Sequence, residues 1–235
     1  MTSRVNPYSV GLPSTNYEGL LLAHSPVGMW MMDETSGNFI DQGSTGNDAT
    51  PSSGVTHANR TIFGHTAPDF SGSIGGYAAI THNAALEPWA GAGAKATYIT
   101  MCRFDALTSW TMLLSKGASY FGPMNGSYLW YTNHAGLGVT HMGSTAASLN
   151  TDYVFAWTLD QAAGPRVKLY VNGVLVNDKT FVSGTASASP EPVYISRYSS
   201  DNYHVNGAIA GTALFDKVLT QTEITELYDA AVAGP

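Results

Sequence analysis

Cysteine and charge are both scarce in this chain of 235 residues. There is one Cys, and Lys, Arg, Asp and Glu together make up 11%. Cys102 alone can close neither an internal disulfide nor a cysteine-based zinc site. Set in the apolar run 98–104, it reads as a small core residue. An ordinary soluble domain carries roughly 25% charged residues, so the surface here must be built largely from Ser, Thr, Asn, Gly and aromatic hydroxyls. Such groups hydrogen-bond to neutral partners. Ten Lys and Arg against seventeen Asp and Glu leave a net charge of −7. With no basic run, a nucleic-acid backbone finds little to attract it, and nucleic acid is excluded as an expected partner.

Long apolar runs are missing too. Residues 27–32, with Gly28 among them, form one of the longest and are far too short to span a bilayer, so no membrane partner is expected. Arg4 lies in the first eight residues with no apolar stretch behind it, which leads us to expect synthesis in a cytoplasm without a cleaved secretory signal. Catalytic motifs are equally scarce. A Gly-x-Ser-x-Gly elbow, a His-Glu-x-x-His helix and a phosphate-binding P-loop do not occur, and seven His residues are scattered without metal-ligand spacing. Gly91-Ala92-Gly93-Ala94-Lys95-Ala96 loosely fits a dinucleotide fingerprint, but it precedes a strand instead of joining a strand to a helix, and reads as a loop.

What is present is a succession of short apolar runs divided by Gly, Asn, Asp, Ser and Pro, the pattern of an all-β domain. The length suits one undivided sandwich of roughly 200–250 residues. Residues 1–16, punctuated by Pro7, Gly11 and Pro13, read as an N-terminal arm, and 17–235 as the folded domain. Thr15 and Glu18 have capping-box spacing ahead of a short helix that Ser25-Pro26 stops. The clearest hairpin joins 167–171 to 174–176 through Asn172-Gly173, a pair that tolerates the positive φ angles of a type I′ turn. Strand alternation places Val167, Leu169 and Val171 on one face, toward the core, and Lys168 and Tyr170 on the other. Residues 128–133 and 153–159 alternate as strands, with Phe155, Trp157 and Leu159 sharing a face. A second capping box, Thr220 to Glu223, opens a terminal helix whose Ile224, Leu227, Tyr228 and Ala231 fall at helical spacing.

Five segments, in order, resemble the concanavalin A-like lectin/glucanase superfamily, in its laminin-G-like bacterial and phage branch. They are residues 25–37 (SPVGMWMMDETSG), 41–50 (DQGSTGNDAT), 96–117 ending in LLSKG, 167–176 with its Leu-Tyr-Val-Asn-Gly hairpin, and 207–215 followed by 219–228. The resemblance spans roughly 17–230 and implies a two-sheet antiparallel jelly-roll β-sandwich with a short N-terminal and a C-terminal helix. It also implies ligands on the concave face or the rim loops. Glucanases of this fold align carboxylates along one strand, Glu-x-Asp-x-x-Glu or Glu-x-Asp-x-Glu, so that period two aims them at one sugar. That run does not occur here, which disfavours a glycoside hydrolase and leads us to expect no enzyme. Family members often hold Ca²⁺ near the Asp/Gly/Asn-rich loop, where Asp41, Asn47 and Asp48 supply hard oxygen ligands. The Asp that the family commonly places after the Ile of the closing strand is replaced, because Ala210 and Gly211 follow Ile209.

Aromatic residues mark the expected binding face, since rings stack on the C–H faces of sugars while polar side chains take the hydroxyls. One cluster contains Tyr120, Phe121, Tyr128, Trp130, Tyr131, Asn133 and His134, and alternation must send half of its strand residues into the core. The other is the polar stretch Tyr198, Asp201, Asn202, Tyr203 and His204, with Tyr194 and Arg197 before it. Burial explains its rings less readily, so it is the preferred ligand loop. The expected ligand set is therefore Tyr198, Asp201, Asn202, Tyr203, His204, Tyr128, Trp130 and His134. Two functions fit. One is a bacteriophage virion structural or decoration protein of head or minor tail, exposed on the virion surface, with other virion proteins, further copies of itself and glycans as partners. The other is a soluble carbohydrate-binding module.

Overall fold

The computed structural model describes residues 16–70, 76–107, 110–124, 129–134, 136–162, 166–180, 184–198 and 203–235. Most of the expected arm, and with it Thr15, lies outside the described residues. Helix α1 spans Tyr17–Ala23. Strands β1 (Gly28–Trp30), β2 (Ala49–Pro51), β3 (Thr56–Ile62), β4 (His65–Asp69) and β5 (Ala78–Ile80) follow. Next come β6 (Lys95–Ala106), β7 (Leu114–Lys116), β8 (Ser119–Met124), β9 (Leu129–His134) and β10 (Gly138–Ala146). The chain continues through β11 (Asp152–Asp160), β12 (Arg166–Val171), β13 (Val174–Thr180), β14 (Val193–Ile195) and β15 (Asn206–Phe215), and ends in α2 (Gln221–Ala233).

These strands form two antiparallel sheets. The first runs β13-β12-β11-β6-β15-β4-β3, with β1 also paired to β15, and the second runs β10-β9-β8-β7-β14-β5-β2. The expected two-sheet sandwich with two helices is therefore what the chain forms. The Asn172-Gly173 turn has φ of 51° and 72°, so Val171 pairs directly with Val174 as a type I′ hairpin requires. Asn172 does a second job, accepting from the backbone N–H of Val154 at 2.9 Å and fixing the hairpin to β11.

One core lies between the sheets. Phe155, Trp157, Leu159, Val167, Leu169 and Val171 enter it from the first sheet, and Ala78, Ile80, Leu114, Phe121, Val193 and Ile195 from the second. Its centre is aromatic: Phe121 stacks on Trp157 at 4.7 Å, and Trp89 meets Trp157 edge-on at 6.2 Å. The first sheet is buried on its other face as well. There Ile99, Met101, Val154, Ala156, Tyr170 and Ala210 meet Tyr17 and Leu21 of α1 and Ile224 and Leu227 of α2. This explains the unbroken burial of β11 from Tyr153 to Leu159, and why Tyr170, opposite the core-facing set, is buried too. Each Val, Leu, Ile or Met so covered contributes about 1.5–3 kcal/mol.

The two helices are fixed differently. Thr220 and Glu223 form the full capping box on α2, as the spacing predicts. On α1 the cap is Asn16, not Thr15; its side chain accepts from the Gly19 N–H at 2.9 Å. Asn is as competent a cap as Thr, and from position 16 its side-chain oxygen satisfies an orphan N–H of the first turn. Below α1 the strand β15 bulges at Gly211, whose φ is +54° and where a Cβ would lie 2.5 Å from the Tyr17 ring. The Tyr17 hydroxyl donates to the Gly211 carbonyl at 2.9 Å. The positions where the family commonly carries an Asp are thus floor space for α1. Among the described residues no helix is long and apolar enough to cross a membrane.

Candidate ligand-binding cleft

In the second sheet, core residues alternate with residues that face away from the first sheet. Register places Thr50, Ala79, Tyr194, Ser115 and Tyr120 in one row across β2, β5, β14, β7 and β8. Their chain neighbours Ala49, Ile80, Val193, Leu114 and Phe121 point into the core. The helices bury their apolar residues on the first sheet, which, among the described residues, leaves this outward row free of helix packing.

Two loops build a cleft over Tyr120. The segment before β7 supplies Trp110 and Met112, and the connection between β14 and β15 supplies Tyr198 and Tyr203. Together with Tyr120 they line a cavity of about 190 Å³. Trp110 lies 6.1 Å from Tyr120 and 5.7 Å from Tyr203, ring centre to ring centre. Tyr198 stands edge-on to Tyr120 at 5.1 Å and tilts toward Tyr203 at 6.2 Å. The four rings are partly exposed, while Met112 is buried beneath them. Aromatic faces offer C–H and apolar stacking, and tyrosines add phenolic hydroxyls, a combination that suits a ring-shaped polar ligand.

Local chemistry holds the loops in place. Gly122 has φ +152°, and a Cβ there would collide with the Thr111 carbonyl oxygen. Its absence lets the 110–112 segment cross β8 closely enough for the Thr111 N–H to reach the Pro123 carbonyl at 3.0 Å. At the base of the other loop, buried Ser196 sits at φ +65°. Its hydroxyl donates to the Gly76 carbonyl and accepts from the Val205 N–H, both at 3.0 Å. The Met112 N–H then donates to the Tyr203 carbonyl at 3.2 Å, which ties one wall to the other.

The structure brings some of the expected ligand residues together and sets others apart. Tyr198 and Tyr203 line the cleft. His204 turns away, buried, with Nδ1 3.0 Å from the Ser196 carbonyl. Phe121, beside Tyr120, is core. Trp130 and His134 lie on β9, but their side chains, with Tyr128, Asp201 and Asn202, fall outside the described residues. Trp110 was not among the expected residues. Its signal was a lone Trp in the polar stretch Thr108-Ser109-Trp110-Thr111, where no apolar period accounts for it.

The calcium loop has a different use. One Asp41 carboxylate oxygen accepts from the Met29 and Gly43 N–H groups, each at 2.8 Å. The other accepts from the Thr45 hydroxyl at 2.7 Å and the Asn47 N–H at 2.8 Å. Asp48 accepts from the Asp41 N–H at 3.0 Å, and the Asn47 side-chain oxygen from Asn83 at 2.8 Å. Donor hydrogens directed at both oxygens of Asp41 present the wrong sign to a cation, so these three residues do not fit Ca²⁺ and form a loop hub instead. Among the described residues no group of three or more His, Cys, Asp or Glu is placed to hold a metal ion.

Fold and cleft together define a lectin-like β-sandwich. A family model described as the concanavalin A-like lectin/glucanases superfamily, of the laminin-G type, matches residues 71–225, and the chain belongs to that family. Searching curated protein sequences gives no match. Among solved structures, the binding domain of Paraclostridial Mosquitocidal Protein 1 superposes with a TM-score of 0.64 at 12% identity, over 90% of this chain and 53% of that one. Domain 4 of AbnA, an extracellular arabinanase of Geobacillus stearothermophilus solved with arabinotriose, gives 0.62 at 13% identity, over 87% and 98%. Trypanosoma rangeli sialidase gives 0.61 at 16%, over 97% of this chain and 35% of the enzyme. The chain thus spans about half of the toxin domain and about a third of the sialidase. At these identities the likeness is one of fold.

Proposed function

We propose that the protein is a carbohydrate-binding module without catalytic activity, and that a sugar ring enters the cleft among Trp110, Tyr120, Tyr198 and Tyr203. One observation carries this reading: four rings converge on one cavity whose described lining holds no carboxylate and no His. Most glycoside hydrolases use a pair of acidic groups flanking the glycosidic bond; a binding site needs stacking faces and hydroxyls. The arabinanase domain solved with arabinotriose supports it by analogy of fold. A glycan array that includes plant, bacterial-envelope and animal glycans tests the reading. Retention of at least one glycan is expected, and retention of none contradicts it. Release of reducing ends from a retained glycan would overturn the non-catalytic part.

A finer reading places this module on a bacteriophage particle as a decoration or minor tail protein. It draws on the low charge and polar composition of the chain, and on residues 1–16, read from the sequence as an arm able to add a strand to a neighbouring subunit. Genome context tests it. Adjacent capsid or tail genes support the particle, and adjacent polysaccharide-degradation genes contradict it.

A further inference from the structure

The loop that lines the cleft has a second side. Tyr198 and Tyr203 turn toward β8, whereas Arg197 and His204 turn toward β5 and β14. The Arg197 guanidinium carbon lies 4.4 Å from the Tyr77 ring centre and 5.3 Å from that of Tyr194. Tyr77 meets Tyr194 edge-on at 5.9 Å and lies nearly parallel to the His204 ring at 6.4 Å. The Ser115 hydroxyl donates to the Arg197 carbonyl at 2.5 Å and pins the backbone to the sheet. These contacts hold the guanidinium in place without neutralising it.

Its electrostatic setting differs from that of the paired cations. Arg60, Arg103, Arg166, Lys95 and Lys116 each have a carboxylate partner. Arg197 is partly exposed and has no carboxylate partner among the described residues, in a chain of net charge −7. Tyr194 and Tyr120 share one row with Ser115 between them. Two strand spacings, roughly 9–10 Å, separate them, a span that neighbouring residues of one oligosaccharide can cover. A guanidinium fork matches a planar carboxylate through two parallel N–H···O bonds.

We propose that Arg197, seated on Tyr77 and Tyr194, forms an acidic-sugar subsite beside the aromatic cleft, so that the ligand is an oligosaccharide carrying a carboxylate, such as a uronic acid. This rests on the cleft being a sugar site. The test is affinity electrophoresis of the full chain in gels containing pectate, alginate, hyaluronan or polysialic acid, each beside its carboxyl-reduced form. Dextran sulfate and the neutral polymers mannan, xylan and arabinan complete the panel. At least one carboxylated polymer should retard the protein, about tenfold more strongly than its reduced form and less so at high salt. Arg197→Met should lose the same tenfold, with Arg197→Lys recovering part of it. Should Arg197→Met fail to fold, the reduced polymers and the salt series on the unaltered protein decide. Equal retardation by acidic and reduced polymer, or an unchanged Arg197→Met, overturns the subsite while leaving the cleft intact. Binding of dextran sulfate with no carboxylated polymer overturns the carboxylate assignment. Retardation by no polymer overturns the cleft itself.

Discussion

At the scale of single residues, strand alternation decides which member of an aromatic pair a ligand can meet. Tyr120 and Phe121 are adjacent, yet one ring floors the cleft and the other stacks on Trp157 in the core. That split was legible from period two alone. The fate of His204 was not, because its burial depends on the Ser196 carbonyl and the Tyr77 ring, both distant from any local pattern. Alternation puts Lys116 on the inward face of β7 with Leu114, but the partners that satisfy it there come from distant segments. Its ammonium is fully buried, donating to His82 Nδ1 at 2.7 Å and the Glu191 carbonyl at 2.5 Å, with the Glu87 carboxylate at 3.9 Å. Burial pushes the Glu87 carboxyl up and the Lys116 ammonium down, so each charge depends on the other. Lys116→Met alone should cost about 3–5 kcal/mol, because it strands a buried carboxylate. The double variant Lys116→Met with Glu87→Gln should recover most of that loss. Urea unfolding measures both, and a single variant as stable as the parent would refute the coupling.

At the scale of elements, the pieces with strong local chemistry were readable and the site-forming loops were not. The Asn-Gly hairpin and the α2 capping box follow from residue types at fixed spacing. The α1 cap moved by one residue because Asn16 and Thr15 are both competent caps, and only packing of Tyr17 under the sheet sets the helix start. The walls of the cleft depend on Gly122, a glycine within β8 that looks like any other in sequence. Gly122→Ala should force the 110–112 segment away from β8. Overpacking of that kind costs about 1–3 kcal/mol. It should also weaken glycan binding more than a surface change of equal stability cost, as paired melting and titration experiments would show. A variant that binds normally despite a lowered melting temperature would mean that the segment does not shape the site.

At the scale of the whole molecule, the two sheets have different roles. The first is covered on both faces, by the second sheet and by the helices, and provides the rigid support. The second has one face left for loops, and its outward row carries the tyrosines of the candidate site. The order of family-like segments made the sandwich readable, but not which sheet the helices cover, since that depends on long-range pairing of β1 and β15. For the same reason Trp110 and Tyr203, far apart in sequence, could not be joined until the fold placed their rings 5.7 Å apart. The central claim is that these rings bind sugar. Its most direct test is calorimetric titration of the best glycan from the array into the parent protein and Tyr120→Ala, with melting temperatures recorded for both. Affinity should fall about tenfold or more at a nearly unchanged melting temperature, as for an aromatic anchor at the centre of a binding site. Equal affinity in the two proteins would contradict it.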